Sequence, residues 1–169
     1  MDLVVSDSST LVHLAVVGRL GLLKVFFEHV TVPLAVWREV VEQGGGRAGA
    51  LEVEQAHRAG WIKIAAPVDT ALLQFLRRDL DDGEAEVIAL AVEREATLVL
   101  LDEADAREAA DLYDLPKTGV SGLLIRAKRE RHIELLRPEL DRLLHEGGFW
   151  IEASLYNRAL DAVGEMSEE

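Results

Sequence analysis

Cysteine is absent from the sequence, which excludes disulfide bonds and metal sites built from thiolates. Long apolar runs are absent too. No stretch approaches the roughly 20 residues of a membrane-spanning helix, and His13, Gly18 and Arg19 interrupt the best candidate. The first apolar segment has no basic residues ahead of it, as a secretory signal would. We therefore expect a soluble cytoplasmic protein without contact to a membrane.

Positively charged residues are scarce: 18 lysines and arginines stand against 31 aspartates and glutamates, which gives a net charge of −13. A protein that contacts nucleic acid over a wide surface usually carries a basic excess, so wide phosphate contact is not expected. The acidity has two interpretations. It can serve solubility alone, which must hold for most of the acids. Some carboxylates can instead bind cations or be covered by a basic partner.

Two similar segments determine the predicted fold class. Residues 3–6 and 97–101 are short, continuous apolar runs, and each leads into an aspartate, Asp7 or Asp102. Continuous rather than alternating runs are typical of strands covered on both faces. Because helical patterns separate the two runs, we predict one α/β domain with a mainly parallel sheet, which suits a chain of 169 residues.

Apolar periodicity, with glycine or proline at the boundaries, predicts the other elements. Pro33 is expected in the first turn of the helix that carries Trp37 and ends near Gly44. An edge strand is expected at residues 149–151, in an otherwise helical C-terminal third. We predict helices over residues 9–17, 22–27, 48–59, 69–80, 84–95, 103–113 and 120–131, and short strands over residues 30–32 and 61–64.

Asp7 and Asp102 are the leading candidates for a functional site. Ligands of open α/β sheets bind beyond the carboxyl ends of the strands, where both aspartates are expected. If the two strands are neighbours, the carboxylates converge, and their repulsion requires a cation. Mg²⁺ prefers such oxygen ligands. The alternative is that each aspartate only caps the helix that follows it.

Helical phase distinguishes Glu84 from Glu86. Glu84 shares a helix face with the apolar Ile88 and Ala91, whereas the face of Glu86 is half polar. A carboxylate on an inward face is costly without a partner, and a metal ion would relieve that cost. Alternatively, Glu84 only interacts with the dipole at the helix start. Glu39, in the earlier helix, is a weaker candidate of the same kind, with a solvated or ion-paired side chain as the alternative.

Residues 117–137 form the one locally basic region. A phosphate backbone can dock on such a region. The alternative is a solvated helix face. The candidates for phosphate contact are Lys117, Arg126, Lys128 and Arg129, and Arg131 and Arg137 extend the region.

Four acids follow one another in a distinctive order. Asp7-Ser8-Ser9 follows the first strand, Glu39 lies in an early helix, Glu84 stands near the start of segment 83–91, and Asp102 follows the second apolar run. This order resembles the PIN-domain nucleases, most closely the VapC-like toxins and a related prokaryotic branch. The likeness covers about residues 2 to 125, and the tail, with residues 119–124 and 148–151, is similar to that branch specifically.

The resemblance implies a three-layer α/β/α sandwich. It implies a single PIN-like domain over residues 1–169, with a helical C-terminal extension from about residue 126. It also implies a catalytic site formed by the four acids, with Asp7, Glu84 and Asp102 holding Mg²⁺ or Mn²⁺ for the cleavage of RNA.

The resemblance assigns supporting roles to further residues. Ser9 is expected to orient Asp7, and Asp105 to act as an outer acid. Most of the family has aspartate where Glu84 stands, so Glu86 remains open as the ligand instead.

The resemblance also implies partners. A VapC-like protein is the toxin of a toxin–antitoxin pair, cleaves RNA and is held by a small basic antitoxin, and we further expect a homodimer. The basic region is then where the RNA is expected to bind. The alternative function is a catalytically weak or inactive PIN-like module whose acidic cleft binds a basic protein.

Overall fold

The computed structural model describes residues 2–166. Within that range, five parallel strands form one sheet in the order β3-β2-β1-β4-β5. The strands are β1 (Val4–Ser6), β2 (Val30–Pro33), β3 (Ile62–Ala65), β4 (Leu98–Leu100) and β5 (Lys117–Thr118). Parallel neighbours require crossover connections, and helices supply them here. The predicted three-layer α/β/α fold with a mainly parallel sheet is confirmed.

Strands β1 and β4 lie side by side at the centre of the sheet, with Ser6 opposite Leu100. All three residues of β1 are buried, as its continuous apolar run predicts. The carboxyl ends of the two strands therefore meet at one edge. Asp7 follows the end of β1 directly, and Asp102 follows the end of β4 after Leu101, as predicted from the sequence.

Helices account for most of the remaining chain, and none of them between residues 2 and 166 is long and apolar enough to cross a membrane. The expected start of the C-terminal extension, about residue 126, lies inside the eighth helix. The helices are α1 (Ser8–Val16), α2 (Leu22–Phe27), α3 (Leu34–Trp37), α4 (Ala50–Arg58), α5 (Thr70–Leu76), α6 (Asp82–Glu93), α7 (Ala104–Leu112), α8 (Val120–Arg129), α9 (Leu136–Glu146) and α10 (Ala153–Ala162).

Helix α6 is the most buried helix. An unbroken run from Val87 to Ala91 is inaccessible to solvent, so the helix is apolar on every side. It packs against β1 and β2 and against α3, α5 and α7. Its N-terminal turn is therefore held rigidly next to the carboxyl end of β1.

Helix α9 ties the C-terminal region to α1. The Arg142 guanidinium donates to the carbonyl oxygens of Val16 and Val17, each at 3.2 Å, and so satisfies carbonyls left open at the end of α1. The Arg19 guanidinium donates to the buried Glu139 carboxylate, with the shorter contact at 2.6 Å. Residues of the predicted C-terminal extension, which begins at about residue 126, thus contact and stabilise α1 and the turn that follows it.

The prediction of an edge strand at residues 149–151 is wrong, because that segment has no regular secondary structure. Instead β5, which the sequence did not predict, is the outer neighbour of β4. The backbone N–H of Phe149 donates to the carbonyl of Leu143 at 3.3 Å, and Gly148 has a φ of 63°. The segment therefore closes helix α9 rather than pairing with the sheet.

The segment after Pro33 is helical as predicted, but it is not one regular α-helix. Pro33 ends β2 and precedes α3, which continues after four residues as a π-helical turn over Arg38–Glu42. A π turn adds a residue to the local period and rotates the side chains that follow, and it is common at functional sites. Glu39 lies in this turn.

The end of the π turn generates a stability prediction. A Cβ atom at Gly44 would overlap the carbonyl oxygen of Val40, whereas a Cβ atom at Gly45 would meet nothing within 4 Å. We expect Gly44→Ala to lower the free energy of unfolding by about 1–3 kcal/mol. Gly45→Ala, the matched control, should change it by less than about 0.5 kcal/mol. Urea denaturation of both variants measures this, and equal stabilities would contradict the crowding at Gly44.

Candidate functional site

A small acidic cavity of about 270 Å³ lies at the carboxyl ends of β1 and β4. Five carboxylates and two hydroxyls line it, and no lysine or arginine of residues 2–166 is among the lining residues. The lining residues are Asp7, Ser8, Ser9, Glu39, Asp81, Glu84 and Glu103. Three of the four predicted acids are therefore brought together.

Asp7 is the most rigidly held of these acids. It is 2% exposed, and its two oxygens accept backbone N–H groups, Oδ1 from Thr10 at 2.8 Å and Oδ2 from Asp102 at 3.1 Å. Burial, and next the charge of Asp102, raise the pKa of Asp7 to about 6. Asp7 therefore caps helix α1 and lines the acidic cavity at the same time.

Glu84 lies in the first turn of α6, where its backbone N–H donates to Asp81 Oδ1 at 2.8 Å. Burial raises the pKa of Glu84 to about 8, with further contributions from the side chain of Asp81 and the charge of Glu103. Glu86 instead accepts the backbone N–H of Ala35 at 3.2 Å, outside the cavity. Helical phase thus placed Glu84, and not Glu86, in the acidic cavity.

Two serine hydroxyls hold two further carboxylates. Ser8 Oγ donates to Glu39 Oε2 at 2.8 Å, and Ser9 Oγ donates to Glu103 Oε1 at 2.9 Å. The expectation that Ser9 orients Asp7 is therefore wrong, because backbone N–H groups hold Asp7 instead. Gly83 lets the first turn of α6 approach closely, since a Cβ atom there would lie 3.3 Å from Glu39 Oε2.

Asp102 does not line the acidic cavity. Its Oδ1 accepts the backbone N–H of Val120 at 2.8 Å, and its Oδ2 lies 2.8 Å from His13 Nδ1. Gly119 is required beside it, because a Cβ atom there would overlap Asp102 Oδ1. Asp102 therefore caps α8 rather than the helix that follows β4, and it faces a second cavity of about 570 Å³.

The other predicted residues lie elsewhere. Asp105 is exposed on α7, in a groove that also includes Phe75 and not in the acidic cavity. The four basic residues do not form one surface, since Lys117 and Arg126 line different cavities. Each has a local partner: Lys117 contacts Asp111, Arg126 contacts Glu130, Lys128 donates to the Glu134 carbonyl, and Arg129 donates to the Ala162 carbonyl.

Sequence reasoning assigned no role to four residues of this region: Ser8, Asp81, Glu103 and His13. Glu103 directly follows Asp102, so its position beyond a strand end was visible in the sequence. Asp81 precedes α6 in an Asp-Asp-Gly segment, which indicated a helix start without indicating a cavity. His13 could not have been found, because its contact with Asp102 joins residues 89 positions apart.

The donor set of the acidic cavity fits a divalent cation. Hard cations bind carboxylate oxygens, and here five carboxylates meet without a cationic side chain of the described residues. The pKa values of Asp7 and Glu84 are raised, first by burial and next by neighbouring acids, so both carboxyl groups hold their protons more tightly than free ones do. No three side chains within residues 2–166 already stand in the geometry of a complete metal site. Glu39 and Glu103 are bonded to serine hydroxyls instead.

Comparison with known proteins supplies an independent finding. A family model described as a PIN domain matches residues 3–165, a range that includes every acid of the cavity. No curated protein matches the chain.

The raised pKa of Glu84 predicts how stability depends on pH. Without metal, we expect the free energy of unfolding to fall as the pH rises from about 4.5 to about 8. In that window folded Glu84 keeps a proton that the unfolded chain has lost, so a rise in pH lowers the free energy of the unfolded state relative to the folded one. Asp7 acts in the same direction up to about pH 6. Urea denaturation in EDTA at a series of pH values measures the slope.

Two variants separate Glu84 from the other acids. Glu84→Gln can still donate to Asp81 but cannot ionise, so it should flatten the slope. Glu86→Gln is the matched control in the same helix, because its amide oxygen can still accept the N–H of Ala35, and it should keep the wild-type slope. Identical slopes for wild type and Glu84→Gln would contradict the assignment.

Proposed function

Since the chain belongs to the PIN-domain family, we propose that it is a metal-dependent endoribonuclease. Proteins of this family are generally nucleases and typically use divalent metals. The observation that carries the proposal is the acidic cavity. Five carboxylates line it, and no lysine or arginine of residues 2–166 is among its lining residues. Its position beyond the carboxyl ends of parallel strands is where α/β folds bind their ligands.

Asp7, Glu39, Glu84 and Glu103 are the residues that would hold Mg²⁺ or Mn²⁺. When bound, the metal lowers the pKa of a water molecule and neutralises charge on the phosphate being cleaved. Asp102 stays in the proposed site because its backbone N–H holds Asp7 Oδ2.

The side chains of the cavity divide the remaining tasks. Asp7 is immobile, because two backbone N–H groups fix its carboxylate. The hydroxyls of Ser8 and Ser9 orient the longer glutamate side chains, which are otherwise flexible. The Glu84 carboxyl has a pKa of about 8 in the metal-free protein, so metal binding near neutral pH should release its proton.

Substitution of Glu84 tests this function directly. With Mn²⁺ and a labelled single-stranded RNA, we expect Glu84→Gln to lower the cleavage rate by about 100-fold or more. Glu86→Gln, the control from the same helix, should leave the rate within a few-fold of wild type, and EDTA should abolish cleavage by all three proteins.

Thermal melting separates lost binding from lost chemistry. Above pH 8, where Glu84 is ionised, Mn²⁺ should raise the melting temperature of wild type and of Glu86→Gln. The rise should be smaller for Glu84→Gln. Cleavage that survives EDTA, or a more damaging Glu86→Gln, would overturn the proposed site.

We further propose that the protein is the toxin of a toxin–antitoxin pair. A net charge of −13 disfavours long-range attraction of RNA and favours attraction of a basic protein. A basic segment of an antitoxin would place arginine or lysine at the acidic cavity and compete with the metal there. The alternative is an inactive module that binds a basic protein through the same carboxylates, and the cleavage assay distinguishes the two.

Purification from the native host at low salt tests for this partner. We expect a small basic protein to co-purify and to be displaced by Mn²⁺. Its affinity should fall with rising salt, since charge pairing drives the association. A triple variant that neutralises Glu39, Glu84 and Glu103 should no longer retain it. A partner that binds this variant as well as wild type would rule out the acidic cavity as the binding site.

A further inference from the structure

The second cavity, of about 570 Å³, lies on the other side of Asp102 from the acidic cavity. Strand β5, the first turn of α8 and the segment over residues 149–159 enclose it. Asp102 connects the two cavities, because its side chain faces the second one while its backbone N–H bonds to Asp7 in the acidic one. A ligand in the second cavity is therefore adjacent to the proposed site of cleavage.

An aromatic wall is the first notable feature of this cavity. Trp150 lines it and is 76% exposed, an unusual position for so large an apolar side chain. Phe149 anchors the same segment, since its ring packs edge-on against His13 with centroids 4.9 Å apart. Ile151 continues the wall. An exposed indole on an anchored segment offers a flat surface on which an unpaired base can stack.

Unlike the acidic cavity, this cavity is lined by more cationic than anionic side chains. Arg107, Lys117 and Arg158 line it, against Asp102 and Glu152. The Asp102 carboxylate is already bonded through both oxygens, to His13 and Val120, so it repels an anion less than a free carboxylate would.

Two of these cationic side chains retain donors for an anion, whereas Lys117 is already paired with Asp111. Arg107 donates one N–H, at 2.8 Å, to the Leu101 carbonyl and keeps the rest of its guanidinium. Arg158 is exposed. In a chain with a net charge of −13, two arginines that line one cavity and retain unused donors are suited to phosphate.

We propose that this second cavity binds one unpaired nucleotide of the RNA substrate, next to the phosphate that is cleaved. The base stacks on Trp150, and its phosphate contacts Arg107 and Arg158. The backbone N–H of Val120 does not contribute, because Asp102 already occupies it. A base inside a duplex cannot reach the indole, so the substrate class is single-stranded RNA. This inference rests on the proposed ribonuclease function.

The test is binding in EDTA, which separates it from cleavage. The probe is a short labelled single-stranded oligoribonucleotide, and fluorescence anisotropy gives its dissociation constant. We expect Trp150→Ala to weaken binding by about 10-fold and Trp150→Phe to retain most of the affinity. Arg158→Ala should weaken binding and reduce its salt dependence. Leu112→Ala removes another exposed apolar side chain, 80% exposed in a different groove, and should change nothing.

Three outcomes would overturn the inference. The first is wild-type affinity of Trp150→Ala, the second is equally tight binding of the annealed duplex, and the third is loss of a basic protein partner, rather than of RNA, on Trp150→Ala. Since Trp150 is exposed, its substitution should leave the melting temperature unchanged, which excludes misfolding as the cause of weak binding. If the wild type binds the single strand through Trp150 but never cleaves it, the ribonuclease proposal fails while the nucleotide site stands.

Discussion

The gathering of five carboxyl groups, two of them with pKa values raised mainly by burial, around one small cavity is the constraint on which the arrangement of this site depends. The sequence offers no cationic side chain there within residues 2–166, so backbone groups supply the compensation. Helices α1 and α6 both begin at the cavity, and their first turns carry partial positive charge. Burial outweighs that compensation, because the pKa values of Asp7 and Glu84 remain raised. The folded chain therefore favours either protons or an added cation at this position.

The rigidity of α6 explains why the acidic site does not simply open. The helix is buried on every side, so its first turn cannot move away without exposing apolar surface. Its cap, Asp81, and its first-turn acid, Glu84, are thus held against the end of β1. The free energy that keeps these two acidic side chains together comes from core packing some distance away. The residues that stabilise the site are therefore different from those expected to act in it.

The parts of this arrangement that follow from local patterns were predictable from the sequence. Continuous apolar runs that lead into aspartate predicted β1 and β4 with an aspartate beyond each end, and the helical period separated Glu84 from Glu86. The predicted convergence of the Asp7 and Asp102 carboxylates in one cavity is not observed. The orientation of Asp102 was not predictable, because distant residues on α1 and α8 bind its two oxygens. The π turn that carries Glu39 has no sequence signature distinct from that of an ordinary helix, and β5 has only two residues.

Asp102 has a further consequence through its two separate attachments. Its side chain bonds to α1 and α8 at one cavity, while its backbone N–H bonds to Asp7 at the other. Any occupant that displaces this residue from one side alters the energy of the opposite side. Thermodynamic reciprocity then requires equal coupling in both directions. If an ion in the acidic cavity raised the affinity for a nucleotide in the second cavity, the nucleotide would raise the affinity for the ion by the same factor. A single peptide unit would thus couple binding in the two cavities.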